Sequence, residues 1–244
     1  MIAEVTEVGY TALWVAFWGM FLPMLYFYYL YSAEQPGRRF FHAITTIICG
    51  MASLSYLYMA TGHGYVLVDD RAFYFMRYID WILTTPLLLM DLCGLAVFSA
   101  EKTTMLVLLD VLMVIAGILG GVVPDSDKYY FWAMGTLFYI AIVYSLFSGM
   151  SSSSEPLMSS GREDASSIYK LLAYMTVILW TGYPIVWIFA EGEGAISPDL
   201  EAILYAILDL SAKSVFGFIL LHSRSALSQA SKAMGEAQPL LGKE

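Results

Sequence analysis

Charge is what this chain has least of. Of its 244 residues, 14% are Asp, Glu, Lys or Arg, against about 25% in an ordinary soluble domain. A soluble fold of this length needs more charge to cover its surface, so the composition argues against a water-soluble bundle and for a membrane class. Cysteine is nearly absent. Cys49 and Cys93 both sit in apolar runs and read as small core hydrophobes, not as a disulfide framework. Basic residues are outnumbered, 12 Lys and Arg against 21 Asp and Glu. Without a basic face there is no case for nucleic-acid binding. The first residues, Met1 to Gly9, carry glutamate but no basic residue, so they do not read as a cleaved signal peptide. The first apolar run is expected to serve as its own insertion signal. No metal site is expected.

What is present is hydrophobic length. Hydrophobic types make up 59% of the chain and the mean hydropathy is +0.67. A bilayer-crossing helix needs about 20 mostly apolar residues. Such stretches run over Val8–Tyr31, Phe41–Gly62, Phe73–Phe98, Thr103–Val122, Tyr129–Gly149, Ile168–Ala190 and Leu200–His222. The expected fold is all-α: a seven-transmembrane-helix bundle over residues 1–224, then a polar, partly irregular tail over 225–244. The lipid bilayer is its first partner, in the plasma membrane or an endomembrane, and a homo-oligomer is compatible with it.

Loop charges predict the orientation. With the N-terminus outside, Arg38, Arg39, Lys102, Arg162, Lys170, Arg224, Lys232 and Lys243 fall on the cytoplasmic side and Arg71 and Lys128 outside. That is a positive-inside bias, with the C-terminus cytoplasmic. The one long connection, Met150–Ser167, is a serine-rich cytoplasmic loop. The tail holds Glu236-Ala-Gln-Pro-Leu240-Leu241, which has the form of an acidic dileucine sorting signal but is short enough to arise by chance.

Six ionisable residues lie deep in these spans: Arg77, Asp80, Asp91, Asp110, Asp209 and Lys213. Each costs on the order of 2.5–3.5 kcal/mol at a bilayer centre, so each should face the bundle interior and have a partner. Structural ion pairs are the plainest account, and geometry argues for more. The spacing of Asp80 and Asp91 is about 1100° of helical rotation, three turns and about 20°, so both carboxylates share a face about 16 Å apart along the axis. Thr84 and Leu88 lie on the same stripe, and Arg77 stands one turn further out. Asp209 and Lys213, at i and i+4, also share a face. A mid-membrane lysine has two options. It stays charged beside carboxylates, or it is desolvated and nucleophilic enough to form a Schiff base with an aldehyde.

Aromatics separate these options. Trp81, Trp132, Trp180, Tyr183 and Trp187 lie in span interiors, away from the interfaces where tryptophan is usual. Trp180, Tyr183, Pro184 and Trp187 fall at i, i+3, i+4 and i+7. Alone, such a stripe is core packing. Beside a buried lysine it also suits a flat, conjugated, apolar ligand.

In these residues the chain resembles the microbial (type 1) rhodopsins, and within them the bacteriorhodopsin-like light-driven proton pumps. The resemblance rests on RYIDWILTTPLLLMDL at Arg77–Leu92, WTGYPIVW at Trp180–Trp187 and LDLSAKSVFGFILL at Leu208–Leu221, in order and in the appropriate spans. It implies a light-driven ion transporter, not an enzyme, with all-trans retinal bound covalently to Lys213 as a protonated Schiff base. Asp80 matches the counter-ion and proton acceptor, Asp209 the second counter-ion and Asp91 the cytoplasmic proton donor. Thr45 matches the donor's hydrogen-bonding threonine, and Arg77 the arginine between counter-ions and exit. Glu201 matches one carboxylate of the release group, its partner being Glu191 or Glu193. The retinal pocket would comprise Tyr56, Trp81, Thr85, Leu88, Met113, Trp132, Gly135, Trp180, Tyr183, Pro184 and Trp187. Asp110 matches the aspartate that hydrogen-bonds Thr85 and reads as structural.

On this reading, protons leave outward by way of Asp80 and return by way of Asp91. The rival is a photosensor that signals to a partner protein, through the serine-rich loop or the tail. Sensors of the family often lack a carboxylate at the inner donor position, which Asp91 occupies here. A channel would have more polar spans, a chloride pump would replace Asp80, and a sodium pump fits Thr84 and Asp91 less well. A non-photochemical transporter or receptor would need another account of Lys213. His42 and His222 are expected at the cytoplasmic boundary, solvated, and His63 near the outer end of the second span.

Overall fold

The computed structural model describes residues 4–123, 125–151 and 161–237. Half of the serine-rich loop, at 152–160, and the pair Leu240-Leu241 lie outside the described residues. Among the described residues seven helices are long and apolar enough to cross a membrane. They are α1 (Glu7–Ala33), α2 (Phe40–Ala60), α3 (Phe75–Ala96), α4 (Ala100–Val122), α5 (Lys128–Ser151), α6 (Glu163–Trp187), and a seventh span made of α7 (Pro198–Asp209), a π-helical turn Leu210–Val215 and α8 (Phe216–His222). A second π-helical turn, Ile188–Gly192, prolongs α6. The spans agree with the hydropathy reading to within a few residues. The largest shift is at α6, which starts at Glu163 instead of Ile168; its first turn carries Glu163 and Asp164, which suit the positive end of a helix dipole.

Neighbouring helices pack in chain order, and α1 closes the ring on α7. Helix α3 lies deepest, with 67% of its most apolar stretch buried against 17% for α5, and it meets α6 across the bundle. The burial pattern is inverted relative to a soluble protein. Tyr130, Tyr144 and Ile178 are 77%, 74% and 70% exposed, while Asp91, Asp110 and Asp209 are 0% exposed. Such a surface is stable against hydrocarbon, not water, and the chain is an integral multi-pass membrane protein.

Local chemistry sets the helix ends. Ser197 caps α7 by accepting from Leu200 N at 3.2 Å, with Pro198 in the first turn. The Asp199 carboxylate then accepts from Thr6 N at 2.8 Å, Thr6 Oγ1 at 2.7 Å and Gly9 N at 3.1 Å, tying the start of α1 to the start of α7. The N-terminal end of the bundle is thereby the end where α3 and α7 begin and α2 finishes. Arg77 and Glu201 lie towards that end, and Thr45 and Asp91 towards the C-terminal end.

Two elements escaped the hydropathy reading. Between α2 and α3 a hairpin pairs β1 (Val66–Val68) with β2 (Arg71–Phe73). Its turn residues Asp69 and Asp70 both have positive φ, 49° and 60°, as a two-residue type I′ turn requires. At the other end, part of the polar tail is helix α9 (Arg224–Ala237), which packs on α6 and α3. Ala226, Leu227 and Ala230 form its buried stripe, and Gln229 Oε1 accepts from Ala165 N at 2.9 Å. The apolar stripe is what makes this stretch helical in spite of its polar composition.

The seventh span passes close to α1 and α2 at Gly217. A Cβ there would stand 2.6 Å from Thr45 Cγ2 and 2.7 Å from the Phe27 ring, whereas nothing lies within 4 Å of one on Gly37. Gly217→Ala is therefore expected to cost about 1–3 kcal/mol through overpacking. Thermal unfolding in detergent, followed by circular dichroism, should show a lowered midpoint for Gly217→Ala and an unchanged one for Gly37→Ala.

Candidate functional site

Lys213 is 1% exposed in the centre of the bundle, on the π-helical turn of the seventh span. The turn is widened, with Phe216 N donating to Ser211 O in the i→i−5 pattern that recurs at functional sites. The ammonium makes a short ion pair with Asp80 Oδ2 and a second with Asp209 Oδ1 at 3.1 Å. The two carboxylates are held differently. Asp209 accepts from Tyr56 Oη and Tyr183 Oη, both at 2.7 Å, and from Trp81 Nε1 at 3.1 Å. Asp80 has no such set: its Oδ1 is buried without a partner, and Thr84 Oγ1 donates to its backbone oxygen at 2.8 Å.

Towards the N-terminal end the polar network continues. Arg77 Nη1 donates to Glu201 Oε1 at 2.8 Å, and its guanidinium stands 4.2 Å from the centre of the Tyr205 ring and 5.7 Å from that of Tyr74. Glu201 also pairs with Arg71 Nη2 at 2.7 Å, and Arg71 Nη1 reaches Ile196 O at 2.9 Å. Arg71 is a site member that loop-charge counting had left as an ordinary surface cation; the hairpin carries it inward. The structure also separates Glu191 from Glu193. Glu191, on the π-helical turn after α6, accepts from Tyr78 Oη at 3.2 Å and Tyr205 Oη at 3.3 Å, within the network. Glu193 is exposed and takes the Tyr129 hydroxyl at 2.5 Å.

Towards the C-terminal end the surroundings turn dry. Asp91 is fully buried, and Thr45 Oγ1 donates to its Oδ2 at 3.2 Å while Oδ1 has no partner. A buried apolar cluster that includes Phe27, Ile48, Leu88, Leu92 and Phe216 fills this part of the bundle. Asp110 stands apart, accepting from Thr85 Oγ1 at 2.8 Å and bracing α4 against α3.

A cavity of about 110 Å³ adjoins this cluster through Trp81 and Tyr183, which line it and also donate to Asp209, the carboxylate paired with Lys213. Of the residues expected to hold a ligand, Trp81, Thr85, Met113, Trp132, Gly135, Trp180, Tyr183, Pro184 and Trp187 line it. Tyr56 and Leu88 do not line it. Tyr56 is committed to Asp209 through its hydroxyl, and Leu88 packs in the apolar cluster near Asp91. The sequence reading missed Tyr78, Phe131, Tyr139 and Tyr205 on the wall, which extend the aromatic lining with no motif of their own. His63 is a surface residue, its Nδ1 paired with Thr61 Oγ1 at 3.2 Å.

Comparisons with known proteins bear on the family and the fold. The family described as bacteriorhodopsin-like protein matches residues 8–227. Bacteriorhodopsin of Halobacterium salinarum is 37% identical over 207 residues, 82% of this chain and 77% of that protein. Sensory rhodopsin-2 of Natronomonas pharaonis is 35% identical over 222 residues, 90% of this chain and 91% of that protein. The thermophilic rhodopsin of Rubrobacter xylanophilus superposes with a TM-score of 0.85 at 39% identity, covering 92% of this chain and 99% of that one. The light-driven proton pump of Coccomyxa subellipsoidea does so with 0.84 at 33%, covering 91% and 99%.

The Arg77–Glu201 pair is 1% and 2% exposed. Arg77→Gln should destabilise the protein by on the order of 3 kcal/mol, because it strips a buried carboxylate of one of its two cations. In a double-mutant cycle with Glu201→Gln, thermal unfolding should show the two losses to be strongly non-additive. Simple additivity would mean that the pair is not coupled.

Proposed function

The chain belongs to the bacteriorhodopsin-like family of microbial rhodopsins, and we propose that within it the protein is a light-driven outward proton pump with all-trans retinal bound covalently to Lys213. The site's chemistry fits that group. A desolvated lysine nitrogen, two carboxylates to balance a cation and an aromatic-walled cavity alongside are what a flat, conjugated aldehyde needs. Once bound, retinal supplies light absorption and a photoisomerisation that reorients the nitrogen to which it is attached. Trp81, Trp180, Tyr183 and Trp187 would hold its apolar length.

The observation that carries the pump reading is the placement of Asp80 and Asp91 about Lys213. In the dark, the proton on Lys213 Nζ is held by Asp80 and Asp209. Asp80 is the open acceptor, because its Oδ1 is free to take that proton whereas Asp209 is already saturated by donors from Tyr56, Tyr183 and Trp81. Neutralising Asp80 removes one of the anions near Arg77 and strengthens the arginine's pairing with Glu201. The proton expelled to the N-terminal side then comes from the Glu201 and Glu191 cluster. Asp91, enclosed by apolar side chains, returns a proton to Lys213 Nζ from the other side. With the N-terminus outside, as the loop charges predict, acceptor and release cluster face outward and the donor faces inward.

A photosensor is the second reading, favoured by the similarity to Sensory rhodopsin-2. A sensor has no need of a proton donor on the inner side, so the buried Asp91–Thr45 pair speaks for the pump.

Illuminated cells supplied with all-trans retinal should acidify the medium, and a protonophore should abolish the signal. A pigmented sample without acidification would transfer the assignment to the sensor. Asp80→Asn should absorb at longer wavelength and fail to pump, and normal acidification by this variant would remove Asp80 from the acceptor role. Asp91→Asn should slow reprotonation of the Lys213 nitrogen, increasingly so as pH rises, in flash absorption measurements. An unchanged time course would remove Asp91 as donor.

A further inference from the structure

At the C-terminal end a polar cavity of about 290 Å³ opens between the end of α1, the start of α2, α8 and α9. Its titratable and charged lining groups are Tyr26, Glu34, Arg38, His42, His222 and Arg224. The sequence placed His42 and His222 together as solvated boundary residues, but the structure sets them apart. His222 is half-exposed and both its ring nitrogens are engaged, Nε2 with Tyr26 Oη at 3.1 Å and Nδ1 with Phe218 O at 2.8 Å. His42 is only 6% exposed, and its Nδ1 is buried without a hydrogen-bond partner. Glu34, Arg224 and the Arg38 backbone are the charged and polar groups that act on its ring. His42 is also close to Asp91. It precedes Thr45 by three residues on α2, about 5–6 Å between Cβ atoms on one helix face, and Thr45 Oγ1 is 3.2 Å from Asp91 Oδ2. The ring thus has the polar cavity on one side and the dry Asp91–Thr45 pair one helical turn away.

We propose that His42 is the relay through which a proton from the polar cavity reaches Asp91 after Asp91 has given up its own; the proposal rests on the pump reading. Imidazole suits the task because it takes a proton at one ring nitrogen and releases the other nitrogen's proton without a net change of charge. One proton enters from cavity water, one leaves to the Asp91 carboxylate, and the ring regains its starting tautomer by exchange with the cavity. Glu34 and Tyr26 line the outer mouth. Thr45 holds the Asp91 oxygen that faces α2, leaving Oδ1 free as the receiving atom.

The test uses the full-length pigment in vesicles, with a pH-sensitive dye to follow proton uptake after a flash. His42→Gln should keep the absorption spectrum and the proton release step of the unsubstituted protein. It should delay proton uptake and ground-state recovery by at least about tenfold. Azide, a small diffusible proton carrier, should restore the rate in His42→Gln and do little to the unsubstituted protein. Uptake at the unsubstituted rate in His42→Gln would overturn the proposal. So would slow uptake that azide does not restore, since that marks a packing defect. Failure of the pump reading itself is distinguishable, because the unsubstituted pigment would then show neither release nor uptake.

Discussion

A lysine ammonium in the middle of a bilayer-spanning bundle is the constraint around which the rest of the site is arranged. Two carboxylates surround that one cation, and their excess of negative charge must be met where water is scarce. The protein meets it unevenly. Tyr56, Tyr183 and Trp81, from three different helices, all donate to Asp209, while Asp80 keeps one oxygen bare. The tyrosine and tryptophan rings that supply these donors are also walls of the structure, so the hydrogen bonds and the aromatic packing fix one another. Trp81 meets Tyr183 edge-on at 5.0 Å and Tyr205 at 5.3 Å. A change at Asp209 therefore reaches the cavity lining directly through Trp81 and Tyr183.

The same charge problem explains the long polar chain on one side of Lys213. Arg77 brings a second cation, which needs Glu201, which in turn takes Arg71 from the hairpin. Each buried charge is acceptable only because the next is present, and the chain ends where Arg71, beside the hairpin turn, is partly exposed. The Asp69-Asp70 turn fixes the register of that hairpin and so the reach of Arg71. Tyr74, whose phenol is raised above its ordinary range by burial, lies under Arg77 as a neutral ring and adds attraction without adding charge.

Much of this was legible in the sequence because a membrane makes charge conspicuous. Asp80, Asp91, Asp209 and Lys213 stand out against apolar spans, and helical arithmetic alone places Asp80 with Asp91, and Asp209 with Lys213, on shared faces. The aromatic face of α6 was legible for the same reason, as a period in an otherwise uniform background. What was not legible depends on departures from the ideal period. Glu191 and Glu193 could not be told apart because an extra residue in the Ile188–Gly192 turn decides which one looks inward. Arg71 looked like a loop cation because a short hairpin leaves a faint hydropathy signal, although Val-Leu-Val-Asp-Asp-Arg-Ala-Phe has the alternation and turn residues of one. The helix α9 was hidden by its own polarity, since three small or apolar residues suffice to dock it. Tyr56 and Leu88 were expected at the cavity from the family resemblance alone; Tyr56 meets the site through Asp209, and Leu88 packs in the apolar cluster.

Directed transport asks for two halves that differ, and in this bundle one half is lined by polar and charged side chains and the other by apolar ones. On the N-terminal side every step from Lys213 outward has a polar neighbour, through Asp80, Arg77, Glu201 and Glu191. On the C-terminal side Leu88, Leu92, Ile48 and Phe216 leave Asp91 with a single hydroxyl for company. A proton leaving Lys213 toward the polar half is accommodated at once. One returning must be carried by a group that already holds it when the nitrogen becomes free. A continuous polar path through both halves would let protons run back down their gradient between turnovers. In the proposed pump, the dry layer about Asp91 blocks that leak, and its cost is that every refilling proton must pass through a few titratable side chains.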